Sequence, residues 1–178
     1  MKNDYEIRGE VTAIIINSPK YGRKEALIST NKIDKANEFP NSWHVIFSDT
    51  SQTFYVSGHT SKKGNKRRGL ITLHRWLTNA PENMVVDHID HDALNNTIQN
   101  LRIVTSANNL QNRKGATKSS KSGVRGVEWN STQGKWRARF KINKKNFHCG
   151  YYDTIEEAEQ VAKEAREKHM PYSQEAII

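Results

Sequence analysis

Apolar positions fall in short clusters separated by polar turns. Val11–Ile16 is a β-branched run, and 43–47 (Trp-His-Val-Ile-Phe) and 53–56 (Thr-Phe-Tyr-Val) are two more. Runs of this kind predict strands, with Asn41 and Gly58 in the connections. Residues 1–60 therefore read as a β-rich region without any catalytic spacing, a scaffold or an added contact surface. Leu70–Leu77 predicts a short strand running into a helix, with Leu73, Trp76 and Leu77 apolar and Pro81 as its stop. Val85-Val86 and Arg102-Ile103-Val104 predict strands on either side of a polar loop. A helix follows, with Ser106 as its cap and Leu110 as its buried residue. Residues 115–122 (Gly-Ala-Thr-Lys-Ser-Ser-Lys-Ser) are small, polar and basic, the composition of a linker.

The segment 123–178 then stands as a separate module. Lys135–Ile142 has strict period-2 patterning. Trp136, Ala138, Phe140 and Ile142 are expected on a core, and Lys135, Arg137, Arg139 and Lys141 on the opposite face. After a turn at 143–146, Phe147, Cys149 and Tyr151 are expected to face the core, while Asn146, His148 and Gly150 join the basic face. An earlier strand, 124–129, supplies Arg125. Thr154 and Glu157 predict a capping box. Behind it Ile155, Ala158, Val161, Ala162 and Ala165 form an apolar stripe at helical spacing. The other side of that helix carries Glu156, Glu159, Glu164 and Glu167. The elements together predict an α+β class.

Composition narrows this picture. The chain has 178 residues, 35% of them hydrophobic, and a mean hydropathy of −0.84, which favours small modules with thin cores over one large core. No run approaches the roughly 18 apolar residues of a membrane span. The N-terminus lacks the apolar stretch of a signal peptide. The single cysteine, Cys149, excludes an internal disulfide framework and a multi-thiolate zinc site. A soluble, intracellular chain is expected. Net charge is +9, and residues 110–150 hold eleven bases against one acid, Glu128, so the excess is local. Such a stripe points to a polyanion. Four like charges on one strand face cost stability unless an anion meets them. An acidic helix would be repelled by nucleic acid, so it should pack behind the sheet.

Candidate chemistry lies at 87–92, Asp-His-Ile-Asp-His-Asp, followed by Asn95-Asn96, Asn100-Leu101-Arg102 and Asn108-Asn109. Hydrolysing a phosphodiester requires neutralised phosphate oxygens and a base that accepts a proton from water. Unperturbed histidine titrates near neutrality, and oxygen ligands suit magnesium or manganese. Adjacent strand residues diverge, so Asp87 and His88 can serve a metal and a water separately. Taken alone, the segment reads more readily as a polar loop of turn-forming residues, or as a weak adventitious metal site.

Two resemblances extend this reading. Residues 73–76 (Leu-His-Arg-Trp), Val86–Asp90, Asn95-Asn96, Asn100-Leu101-Arg102 and Asn109 resemble the HNH nucleases of ββα-metal fold, in their phage homing branch. Asn100 and Asn109 stand at the family's offsets from His88. The resemblance covers about 70–114 and implies Asp87 and Asn109 as metal ligands, His88 as general base, and Asn100 as a buttress of the loop or of the base. Asn109 replaces the histidine of many family members, so metal affinity is expected to be modest. Arg125-Gly126-Val127, Lys135–Lys141 and Gly150–Thr154 with Glu157-Ala158 resemble the APETALA-two type DNA-binding domain, over about 122–169. That family lays its three-stranded sheet in the major groove. The resemblance implies DNA contacts by Arg125, Arg139 and Lys141, with Asn146 and His148 on the third strand; Arg137 shares their face. Glu128 and His148 stand where plant members carry arginine and tryptophan, so plant sequence preference does not transfer.

The expected organisation is a β-rich region at 1–60, an HNH domain at 61–114, a basic linker at 115–122 and an APETALA-two type domain at 123–178. The expected activity is metal-dependent cleavage of double-stranded DNA of homing type, with magnesium, or manganese in its place, as the metal. No membrane and no small-molecule cofactor are expected, and the chain should act as a monomer or weak dimer on DNA in the cytoplasm of a bacterial host. The basic segments 61–68 and 113–121 add DNA affinity. The alternatives are a non-catalytic DNA-binding regulator with a degenerate HNH hairpin, and a nuclease directed at RNA or at nucleic-acid structure.

Overall fold

The computed structural model describes residues 1–60 and 69–173; the basic segment 61–68 lies outside the described residues. The chain divides into two compact units, Met1–Thr105 and Ser106–Ile178. The α+β class holds, with short antiparallel sheets and few helices.

In the first unit, β1 (Tyr5–Arg8), β2 (Val11–Ser18) and β3 (Gly22–Ser29) form an antiparallel meander. A short helix α1 (Ile33–Asn37) leads to the hairpin β4 (His44–Ser48) and β5 (Thr53–His59), to which β6 (Leu70–Thr72) adds. The three β-branched runs thus become β2, β4 and β5. The patterning missed β1 and β3, whose charged residues interrupt any apolar run. Helix α2 (Leu73–Thr78) follows directly from β6. It ends at Asn79, which caps it in the left-handed region at φ 50°, and not at Pro81. Asparagine tolerates that conformation and stops a helix two residues before proline would have to.

One core serves these elements. Ile14, Ile16, Ala26 and Ile28 from the first sheet meet Phe39, Trp43, Val45, Val56, Leu73 and Leu77. Phe39 stacks on Trp43 at 3.9 Å between ring centroids, and the Trp76 indole donates to the Lys35 carbonyl at 2.7 Å. Burial of such large rings is the main source of stability here.

The two-stranded ribbon β7 (Val85–His88) and β9 (Leu101–Val104) encloses the polar loop. Within that loop the two-residue strand β8 (Asn95–Asn96) pairs in parallel with β3, Leu27 opposite Asn95 and Ile28 opposite Asn96. The N-terminal sheet therefore holds the loop of the candidate site.

The second unit opens with α3 (Ser106–Asn109), which tightens into a single turn at Leu110–Asn112. Leu110 is 67% exposed and not the buried residue expected. The helix is too short to keep its phase, and Gln111 and Asn112 turn inward in its place. Three antiparallel strands, β10 (Val127–Asn130), β11 (Lys135–Ile142) and β12 (Lys145–Tyr152), pack on α4 (Ile155–His169) through Val127, Ala138, Ala158 and Ala162. The Thr154 hydroxyl accepts from the Glu157 amide and the Glu157 carboxylate accepts from the Thr154 amide, closing the capping box.

Strand β12 departs from strict alternation. A bulge falls opposite Ala138/Arg139, so Gly150 pairs with Ala138 and His148 with Arg139. Beyond it the faces exchange: Tyr151 lies beside Arg137 on the basic face, and Tyr152 joins the core. This corrects the expectation that Tyr151 is a core residue and that Gly150 belongs to the basic face. One extra residue in a strand inverts every side chain after it.

Candidate nuclease site and nucleic-acid interface

Asp87 and His88 end β7, and both are buried. Asp87 stands opposite Arg102 on β9. Arg102 Nε and Nη2 both donate to Asp87 Oδ2, at 2.9 and 2.7 Å. A buried carboxylate gripped by a guanidinium is fixed in place.

His88 turns the other way. Its Nε2 lies 3.3 Å from Asn96 Oδ1. The His74 ring meets it edge to face at 5.0 Å, and Tyr55 approaches both histidines at 6.1 and 6.2 Å. Burial pulls His88 below the ordinary histidine range, against the Asn96 hydrogen bond and the charges of Asp90, Asp87 and Asp92. His74 is pulled to about 3, by burial first and then by His88 and Arg75. Both rings are therefore neutral at physiological pH, the state in which a histidine accepts a proton.

The remaining acids of the loop build its shape. Asp90 Oδ1 accepts from the Asp92 amide and from Asn100 Nδ2, both at 2.8 Å, and its Oδ2 accepts from Asn95 Nδ2 at 2.8 Å. Asn100 also accepts from the Asp90 amide at 2.9 Å and donates to the Asn95 carbonyl at 2.7 Å. Asn100 thus ties both limbs of the loop together. His91 sits at its tip with φ 65°.

Asp87, His88 and Asn100 are brought together in the first unit, while Asn109 ends α3 in the second. Among the described residues no group of three His, Cys, Asp or Glu is arranged to hold a metal. Asp87 carries a carboxylate in the first unit and Asn109 an amide oxygen in the second; oxygen donors are the kind that magnesium or manganese takes. The sequence reading missed Arg102 as the partner of Asp87 and Asn96 as the partner of His88. Pairing β7 against β9 in register would have found the first. The second depends on a loop fold that no local pattern encodes.

On the sheet of the second unit, register places the predicted residues on one face: Arg137 beside Tyr151, Arg139 beside His148, and Lys141 beside Asn146. Glu128 lies opposite Arg137 and pairs with both Arg137 and Arg139, the latter at 2.8 Å. Burial raises the Glu128 carboxyl, but the two arginines outweigh it and hold the group below its ordinary range. Lys135 pairs with Asp153 at 3.1 Å. The row of like charges is thus partly neutralised within the protein. Arg125 precedes β10, and its guanidinium donates to the Arg113 and Gln111 carbonyls at 2.7 and 2.8 Å. It braces the start of the unit, and its own carbonyl accepts from Arg166 Nη1 at 2.8 Å.

Comparison with known proteins finds two domains in this order. A family model described as HNH endonuclease matches residues 79–111, and one described as AP2 domain matches 122–169. Protein 3.8 of Escherichia phage T7 is 30% identical over 89 residues, covering 50% of this chain and 73% of that protein. An uncharacterized HNH endonuclease of Acanthamoeba polyphaga mimivirus is 41% identical over 69 residues, 35% of this chain and 36% of that protein. No solved structure matches the chain significantly. Among the described residues no helix is long and apolar enough to cross a membrane.

Proposed function

We propose, from the premise that the chain belongs to the family of phage T7 protein 3.8 and carries an HNH endonuclease domain ahead of an AP2 domain, that it is a metal-dependent endonuclease of homing type acting on duplex DNA. The observation that carries this reading is the pair at the end of β7: a buried, neutral His88 beside a carboxylate, Asp87, anchored by Arg102.

Asp87 and Asn109 would hold the divalent cation. When bound, a cation of this kind neutralises phosphate oxygens and stabilises the departing oxygen. His88 accepts a proton from the water that attacks phosphorus, the bond to the 3′ oxygen breaks, and that oxygen takes a proton from solvent, leaving 5′-phosphate and 3′-hydroxyl ends. Asn100 keeps the loop closed around that base. Arg137, Arg139, Lys141, Asn146 and His148 meet the DNA, with Arg125 as the strut behind them. The nuclease domain is assigned to 61–114 and the DNA-binding domain to 123–178. The linker 115–122 keeps one beside the DNA held by the other. One such site cuts one strand per encounter, so a monomer acting in the host cytoplasm nicks.

The test is cleavage of end-labelled duplex DNA, single strands and RNA of one sequence, with magnesium and with chelator. The expected result is chelator-sensitive cleavage of the duplex with 5′-phosphate ends. Equal cleavage of RNA, or cleavage that survives chelation, contradicts the proposal.

A further inference from the structure

The Asn96 side chain is 1% exposed, and its neighbours fix which way the amide points. Nδ2 donates to the Ala93 carbonyl at 3.3 Å and to the Leu94 carbonyl at 3.0 Å. A reversed amide would set its oxygen against both carbonyls. Oδ1 is therefore the atom that meets His88 Nε2, at 3.3 Å. An amide oxygen only accepts, so Nε2 must carry the proton. A neutral imidazole protonated at Nε2 has its basic lone pair on Nδ1.

The backbone supports this arrangement from a distance in sequence. Ile28 of β3 pairs with Asn96, the Leu27 amide donates to the Leu94 carbonyl at 2.8 Å, and the Ile98 amide donates to Ser29 Oγ at 2.9 Å. The amide is thus placed by the N-terminal sheet, not by the β7–β9 ribbon that bears the histidine.

We propose that Asn96 is a positioning residue that holds His88 as its Nε2–H tautomer, making Nδ1 the nitrogen that takes the proton from water, and that β3 of the N-terminal sheet sets this polarity. The proposal deepens the reading of His88 as general base and rests on it. Asn96 touches neither substrate nor metal in this account; it acts through the ring.

The test is nitrogen NMR of the metal-free full chain labelled at histidine, which needs neither DNA nor cleavage. The expected result is a pyrrole-type Nε2 with a protected N–H proton and a pyridine-type Nδ1 for His88. The Nε2 proton should lose its protection in Asn96→Ala. In cleavage assays Asn96→Ala should lower kcat by at least about tenfold, a part of what a general base supplies, with KM for DNA within about twofold. A pyrrole-type Nδ1 in the wild-type spectrum overturns the proposal even if His88→Ala abolishes cleavage. Retained protection and unchanged kcat in a folded Asn96→Ala overturn it as well. Cleavage by His88→Ala at the wild-type rate would instead sink the general-base reading, whatever the spectrum shows. Because Asn96 is buried, the variant is compared only if its amide spectrum is native-like; the wild-type spectrum decides the tautomer without it.

Discussion

His74 shows how burial converts into pH dependence. Its ring is buried, takes a 2.9 Å hydrogen bond between Nε2 and Thr72 Oγ1, and titrates at about 3 in the folded chain. In the unfolded chain it titrates near about 6.5. Below that value the unfolded state binds a proton that the folded state refuses, so stability is fully present above about pH 6.5 and falls as pH drops toward 3. His88 adds a contribution of the same sign. Urea midpoints should fall between about pH 7 and pH 5, and His74→Gln should flatten the fall; an equally steep fall in the variant would place the effect elsewhere. Glu128 makes a second test at this scale. It holds Arg137 and Arg139 at the face proposed for DNA. Glu128→Gln should tighten non-specific binding and steepen the log–log salt dependence, by about 0.9 for each further phosphate neutralised. An unchanged slope would mean that neither arginine meets phosphate.

At the scale of elements, the β12 bulge shows what a sequence pattern can and cannot carry. Strand β11 holds no extra residue, and period-2 alone assigned its two faces correctly. In β12 the same rule failed after Cys149, because nothing in the local composition marks where a strand will bulge. Gly150 is the visible trace: its φ is 127°, and a Cβ there would come within 2.6 Å of the Tyr152 hydroxyl oxygen. Gly150→Ala should cost roughly 1–3 kcal/mol through backbone strain and displacement of Tyr152. Thermal unfolding reads this directly, and an unshifted midpoint would mean that the bulge relaxes without penalty. Asp87, His88 and Asn100 entered the reading through their resemblance to the HNH nucleases, because polar residues between apolar strands, taken alone, fit an ordinary turn-rich loop. The capping box was legible because its partners lie three residues apart. Asn96 was not, since its meaning comes from pairing with Ile28, far away in sequence. Leu110 was misread because a helical phase was extended past the end of a four-residue helix.

For the whole molecule, the N-terminal region is not an appendage. Its sheet supplies the strand against which the candidate loop is registered, and its core is shared with α2. Removing residues 1–43 should therefore abolish cleavage and lose amide protection at Leu101–Val104, while the sheet of the second unit stays folded. Hydrogen exchange on the truncated chain checks this, and native-like protection of β9 would show that the ribbon needs no support. The proposed function divides the work between a nuclease domain at 61–114 and a DNA-binding domain at 123–178. Its most direct measurement is a supercoiled-plasmid assay with magnesium, run beside gel retention of the same DNA, for the wild-type chain and for His88→Ala. The wild type should convert the plasmid to open circle, the variant should not, and both should retain the DNA equally and in a salt-sensitive way. A variant that nicks at the wild-type rate, or a wild type that retains the plasmid and never cuts it with magnesium or manganese, would contradict the proposed function.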